Sequence, residues 1–387
     1  MSCGQFFLTY YCLFCIFTPS QSEFLSLPLV TENRKGVGMM RRFSKATLIF
    51  LGFALSFLGA TLVLAQTAQP PQNWPKTISI AGGSPGGGMH AVATGMASVL
   101  TKYLKIKTVA ESGLFGKNLT LLTKGDVELG MAQADLTYDA ARGLGAYKPF
   151  GKNKLRLLFS GSTPPAAFVV RADSGIRTVT DLKGKRVMFT MPSNMTFTAC
   201  GEILLKAAGM STKDIKEMTF SGPKVAQEAL HENKIDAFIV LFPSVGKTAW
   251  AEELNIAVPI RLIAGDPKTY AAVVSKIPYA QETVLYAEYY GKMVDGKDLP
   301  TVGIPHNFLT RTDLADDFVY EIMKALFGHL DELYAFHHEA KPYLANPLKV
   351  AVLPFHQGAI KYYKEKGLWN AELEKKQQAL LKEVGAQ

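Results

Sequence analysis

Along this chain the apolar positions switch between a period of two and a period near 3.6, the signature of strands alternating with helices. Thr77-Ile78-Ser79-Ile80-Ala81 alternates as a strand and runs into a glycine-rich loop, Gly82-Gly83-Ser84-Pro85-Gly86-Gly87-Gly88. Met89, Val92, Ala93, Met96, Leu100 and Tyr103 then recur at spacings of three and four, one face of an amphipathic helix. The unit recurs as a strand over 107–110, a glycine-bearing loop over 111–117 and a short helix opened by Asn118. A buried strand follows over 127–132, and Asp135 is placed to cap the next helix.

A second series begins further on. Strands are predicted over 155–159 and 166–170, then a turn over 180–187 feeds a strand at 187–190 and a loop and helix over 191–208, closed by Gly209. Strand, helix and strand succeed one another over 217–220, 224–231 and 236–241. The chain is expected to return at 261–264 and to end in helices over 315–336 and 370–384. Such alternation predicts an α/β fold of two lobes, each a mainly parallel sheet flanked by helices. The expected division is 76–168 plus 265–387 for the first lobe and 169–264 for the second, with hinges near Val169 and Ile263.

The first 65 residues depart from this pattern. Arg41, Arg42 and Lys45 precede an uncharged run over 47–64 that ends in Val63-Leu64-Ala65, ahead of Gln66. Basic start, apolar run and small-residue site are the parts of a secretory signal peptide over 40–65, cleaved after Ala65, which implies a periplasmic protein. A retained anchor helix is the competing reading, since the run approaches the ~20 residues that span a bilayer. Residues 1–39 read as an upstream extension from a mis-assigned start codon. Cys3, Cys12 and Cys15 lie in that extension, so only Cys200 remains beyond it, and no internal disulfide can form there. Cys200 sits in an apolar helical pattern and is expected to be a small buried residue. The formal net charge is +9; five Lys/Arg and two Asp/Glu in residues 1–65 leave +6 for the rest. No basic run interleaved with aromatics marks a nucleic-acid partner, so the surplus reads as a solvated surface that mildly assists anion capture.

Glycine loops that open helices are anion sites, because the first-turn amides lack intrahelical acceptors and the helix dipole favours negative charge. Three such junctions, at 84–88, 112–118 and 193–198, would converge on a cleft if the strands run parallel. The first loop fits neither the dinucleotide fingerprint nor the phosphate loop. Phe242-Pro243-Ser244-Val245-Gly246 lacks the first glycine of a nucleophile elbow, and no zinc-protease motif occurs. His337-His338-Glu339 reads as a solvated helix face, and His356 as a buried, hydrogen-bonded structural residue. No cofactor or metal is called for, and an enzyme on this scaffold would need His90 or His356 as a general base.

The residues also resemble a known family. Gly83-Ser84-Pro85-Gly86-Gly87 resembles the opening of solute receptors of the TAXI subfamily of TRAP transporters, as do the segment from Leu121 to Asp126 and Gln133-Ala134-Asp135. Pro354-Phe355-His356-Gln357-Gly358-Ala359, continuing to Glu365, is similar to the family's C-terminal motif. The resemblance spans 76–369. It implies a two-lobed periplasmic binding protein of type II, not an enzyme, expected to be a monomer, which closes on a small carboxylate and delivers it to membrane permease subunits. Family members favour glutamate and related dicarboxylates, including 2-oxoglutarate. Carried over residue by residue, Ser84, Gly86, Gly87 and Gly88 would donate to a carboxylate. Asn118, Gln133 and Asp135 would line the first lobe, and Ser193, Asn194, Thr196 and Phe242 the second. Met89 and His90 replace the family's aromatic pair and would set selectivity, and the loop over 190–196 departs from its pattern too. A receptor for another transporter class, or a ligand sensor, is the competing reading of this fold.

Overall fold

The computed structural model describes Pro71, residues 73–152 and residues 154–385. The expected signal peptide, its cleavage site and the upstream extension lie outside these residues. Among the described residues no helix is long and apolar enough to cross a membrane.

Two five-stranded sheets are wired alike. The first contains β1 (Thr77–Ala81), β2 (Lys107–Glu111), β3 (Leu129–Gln133), β4 (Leu155–Ser160) and β12 (His306–Arg311), in the order β2-β1-β3-β12-β4. The second contains β5 (Ala166–Arg171), β6 (Arg186–Thr190), β7 (Lys216–Thr219), β8 (Ala237–Leu241) and β9 (Ile260–Ile263), in the order β7-β6-β8-β5-β9. In each, three strands run parallel and the fourth position is filled by a strand antiparallel to both neighbours. The expected α/β class of two flanked sheets therefore holds.

Helices α1 (Gly88–Leu104), α2 (Phe115–Lys124) and α3 (Ala134–Arg142) cover the first sheet, and α4 (Met195–Ala207), α5 (Pro223–His231) and α6 (Ala249–Ala257) the second. The predicted strand, loop, helix unit at 77–104 is present. Asn118, however, is the fourth residue of α2 and not its first, and Asp135 is the second residue of α3, whose cap is Gln133.

The lobe boundaries differ from expectation. The chain leaves the first sheet after Ser160 and enters the second at Ala166, three residues before the predicted boundary. It does not return at 261–264: Ile263 pairs with Phe168 inside the second sheet, so neither Val169 nor Ile263 is a crossing. Helix α7 (Pro267–Val274) and the hairpin of β10 (Gln281–Leu285) and β11 (Leu299–Gly303) follow, packing on α4 and β5. The return comes only with β12. Between the lobes the segments 161–165 and 304–305 run side by side: the Gly161 amide donates to the His306 carbonyl at 2.7 Å and the His306 amide to Ser162 at 2.9 Å. Gly303 faces this crossing so closely that a Cβ would lie 2.2 Å from the Pro164 carbonyl oxygen.

Helix α8 (Asp316–Gly328), helix α9 (Leu330–Phe336), helix α10 (Ala340–Ala345), helix α11 (Gln357–Glu365) and helix α12 (Ala371–Val384) complete the first lobe. Phe159 is its centre, with ring centroids 5.0 Å from Phe308, 5.4 Å from Phe327 and 5.7 Å from Tyr343. Phe168 and Phe189 stack at 6.2 Å in the second lobe's core. His356 takes the expected structural part: it caps α11, accepting from the Gly358 amide at 3.1 Å while its other nitrogen meets the Leu314 carbonyl at 3.1 Å. Cys200 is fully buried, and burial pushes its thiol pKa up, as an inert core residue requires.

Candidate functional site

Parallel strands of both sheets point their C-terminal ends into a cleft between the lobes, the end at which open α/β sheets present helix N-termini to a ligand. Two adjoining cavities occupy it, of about 290 Å³ and about 390 Å³. Ser84, Phe115 and Asn194 line both.

The smaller cavity is built unequally by the two lobes. From the first come the loop after β1, with Ser84, Gly87, Gly88 and Met89, the last residue of β3, Gln133, and the first of β12, His306. Glu339, in the turn between α9 and α10, completes that side. From the second come Asn194, Phe197, Leu241, Phe242 and Pro243. Gly87 caps α1 without a side-chain hydrogen bond, so the first-turn amides, which have no acceptor inside the helix, open onto the cavity at Gly88 and Met89. Helix α2 likewise starts without a side-chain cap, with Phe115 and Gly116 on the larger cavity. Asn194 caps α4 by accepting from the Thr196 amide at 3.2 Å.

The electrostatics of the cleft are set by buried acids. No lysine or arginine lines either cavity. Glu339 is 5% exposed and reaches across to the second lobe, accepting from the Val245 amide at 3.2 Å. Burial pushes its pKa up to about 7, against the pull of the Val245 and Ser244 amides. Asp135 also crosses the cleft, accepting from the Thr196 hydroxyl at 2.8 Å, and burial raises it to about 6. Asp139, on the larger cavity, is raised by burial as well. His306 is held neutral, lowered by burial to about 4. Gln133 is 2% exposed, and its buried Oε1 has no hydrogen-bond partner.

The structure thus gathers Ser84, Gly87, Gly88, Met89, Gln133, Asn194 and Phe242 around one cavity and adds Ser193 on the other. Five expected residues line neither. Gly86 is exposed in the loop, and His90 lies one residue beyond the cavity wall. Asn118 is wholly buried, its amide donating to the carbonyls of Ala81, Gly82 and Met131 at 3.2, 2.7 and 2.9 Å. It therefore ties the glycine loop to β3 and has no donor left for a ligand. Asp135 and Thr196 are engaged with each other across the lobes. Glu339 and His306 were not expected here. The sequence around Glu339 reads as solvated, yet the segment is a turn in which only His338 is exposed. Its burial comes from the facing 243–246 loop, a contact with no local signal.

The chain belongs to the NMT1-like family, whose sequence model matches residues 80–367. Among solved structures it is similar to the periplasmic aliphatic sulphonate binding protein SsuA of Escherichia coli, at 15% identity over 79% of this chain and 90% of that one, with a TM-score of 0.44. A putative sulfonate-binding protein of Methylobacillus flagellatus is 16% identical over 82% of this chain and 97% of that one, with a TM-score of 0.46. PhnD1 of Prochlorococcus marinus, in complex with methylphosphonate, is 12% identical over 76% and 100%, with a TM-score of 0.45. At such values the fold reading rests on this chain's own strand order.

Proposed function

We propose that this member of the NMT1-like family is a periplasmic solute receptor that catalyses no reaction, captures a small organic acid between its lobes and hands it to a membrane permease. The observation that carries this reading is the cleft itself. Two identically wired sheets aim the starts of α1, α2 and α4 at one cleft, from both sides. A carboxylate entering that space loses its hydration and regains it from backbone donors at Gly88 and Met89 and from Ser84 and Asn194. A solute touching both lobes favours the closed arrangement by its differential affinity for it.

The finer reading, a receptor of the TAXI type serving a TRAP permease, is supported by the glycine loop and by the segment from Pro354 to Glu365. The signal-like stretch over 40–65 supports export to the periplasm. A thermal-shift screen of the purified protein against organic acids and amino acids tests the proposal. A ligand at 100 times its dissociation constant should add about 2.7 kcal/mol of stability. If no small solute stabilises the protein at millimolar concentration, the receptor reading is wrong.

A further inference from the structure

We infer that the larger cavity houses the hydrocarbon body of the captured solute, so that the solute is a monocarboxylate with an extended apolar chain and compact dicarboxylates are poor ligands. This rests on the receptor reading and narrows it.

The cleft holds more space than one acid group occupies. The cavity at the start of α1 measures about 290 Å³ and its neighbour about 390 Å³, and Ser84, Phe115 and Asn194 border both. A solute whose carboxylate meets the Gly88 and Met89 amides can therefore extend past Phe115 into the larger space. The walls there are apolar, with Leu136 and Tyr147 from the first lobe and Pro192 from the second. The Tyr147 hydroxyl donates to the Gly116 carbonyl at 3.4 Å, which takes up the polar tip of that side chain. Leu114, just ahead of α2, and Met195, the first residue of α4, border the same space from opposite lobes. Though large and apolar, they are 50% and 45% exposed. Apolar side chains left exposed on a shared concavity mark a surface for an apolar ligand, whereas scattered ones do not. A compact diacid would leave this space to water, which finds few hydrogen-bond partners on such walls.

Charge disfavours a second acid group in the larger cavity. Among the described residues no lysine or arginine lines either space. The larger one carries instead the Asp139 carboxyl, which burial pushes above its ordinary range. The far carboxylate of a diacid would lose its water there with no cation to meet it and with Asp139 as a like-charged neighbour. A hydrocarbon chain carries no such cost, and it covers Leu114 and Met195 as the lobes close.

Calorimetry on the purified protein decides the matter with probes matched in carbon number: butyrate, hexanoate and octanoate against succinate, adipate and suberate, with glutamate and 2-oxoglutarate beside them. Each methylene buried should tighten binding by about fourfold, so octanoate should bind at least about thirtyfold tighter than butyrate. Hexanoate and octanoate should each bind at least about tenfold tighter than the diacid of the same length. Leu114→Asn and Met195→Gln change exposed positions, and each should weaken octanoate at least about fivefold and flatten the rise with chain length. A melting temperature matching that of the wild type would separate this lost contact from lost folding. Affinity that is flat with chain length, or any of the diacids binding as tightly as the monoacids, would overturn the assignment while leaving a solute receptor in place. So would octanoate binding equally well to both variants, or a different solute binding where none of the monoacids does. No binding by any small solute would overturn the receptor reading as well.

Discussion

The two lobes share a strand order and divide the chemistry. On the first, the smaller cavity is lined by the buried polar groups Gln133, His306 and Glu339, each under 9% exposed, beside Met89 and Phe115. On the second, it is apolar, with Phe197, Leu241, Phe242 and Pro243 around the capping Asn194. Phe242 is held rigid by Trp250 and Tyr290, at centroid distances of 5.5 and 5.1 Å. On the proposed function, the same wiring would yield one wall that recognises and one that covers. A solute can dock on the first lobe's hydrogen-bonding groups, and the second lobe then excludes water, which strengthens each polar contact beneath it. The cross-cleft bonds of Asp135 and Glu339 are made by the recognising wall to groups on the covering wall.

The largest expected effect separates the cores from the cleft. Phe159→Ala and Phe189→Ala should each cost about 3–5 kcal/mol, one from each lobe. One crossing is bonded to the end of β8 in the second sheet, by the Phe242 amide on Pro165, and the other to the end of β3 in the first, by the Ala134 amide on Pro305, each at 2.8 Å. Each variant should therefore lower a single calorimetric transition; two separated transitions would show that the lobes fold apart. Next comes Asn118→Ala, which strands three backbone carbonyls and should cost about 2–3 kcal/mol in urea denaturation. Any solute's affinity should change less than threefold, because Asn118 lines neither cavity.

Acid relieves the desolvation cost of the two carboxyls buried between the walls. Asp135 is raised from 3.8 to about 6, so the folded state holds its proton more tightly than the unfolded chain does. Its contribution to stability is fully present below about pH 4 and is lost as pH rises through 6, an effect of about 3 kcal/mol. Glu339 acts with the same sign over a window ending near 7. Stability measured by urea at pH 4.5 and 7.5 should show the wild type losing more than Asp135→Asn, whose profile should be flatter. The smallest effect is expected at Ser193, exposed on the larger cavity with only a 3.5 Å contact to the Ser221 carbonyl. Ser193→Ala should alter solute affinity by less than twofold.

Elements whose apolar pattern matches their burial were legible from sequence: β1 with its loop and α1, β8, and the buried His356 and Cys200. Strand β12 was not. His306, Asn307 and Thr310 are buried beside Phe308 and Leu309, so it lacks both the alternation of a half-buried strand and the apolar run of a central one. Without it, the return to the first lobe was placed on β9 instead of β12, and the hairpin of β10 and β11 went to the wrong lobe. Of the residues that line the cavities, the glycine loop and Asn194 were readable because helix starts after strands place residues at a cleft, whereas Gln133 and Phe242 were expected only from the family resemblance. The parts of Asn118 and Glu339 depend on which distant backbone faces them, and spacing along the chain does not encode that.

Capture between a recognising wall and a covering wall is the central claim, and small-angle X-ray scattering of the protein with and without a saturating solute from the thermal-shift screen tests it most directly. The account predicts a fall in the radius of gyration on binding, and a smaller fall when Phe242→Asp spoils the covering wall. Stoichiometric tight binding with superimposable scattering curves would contradict it.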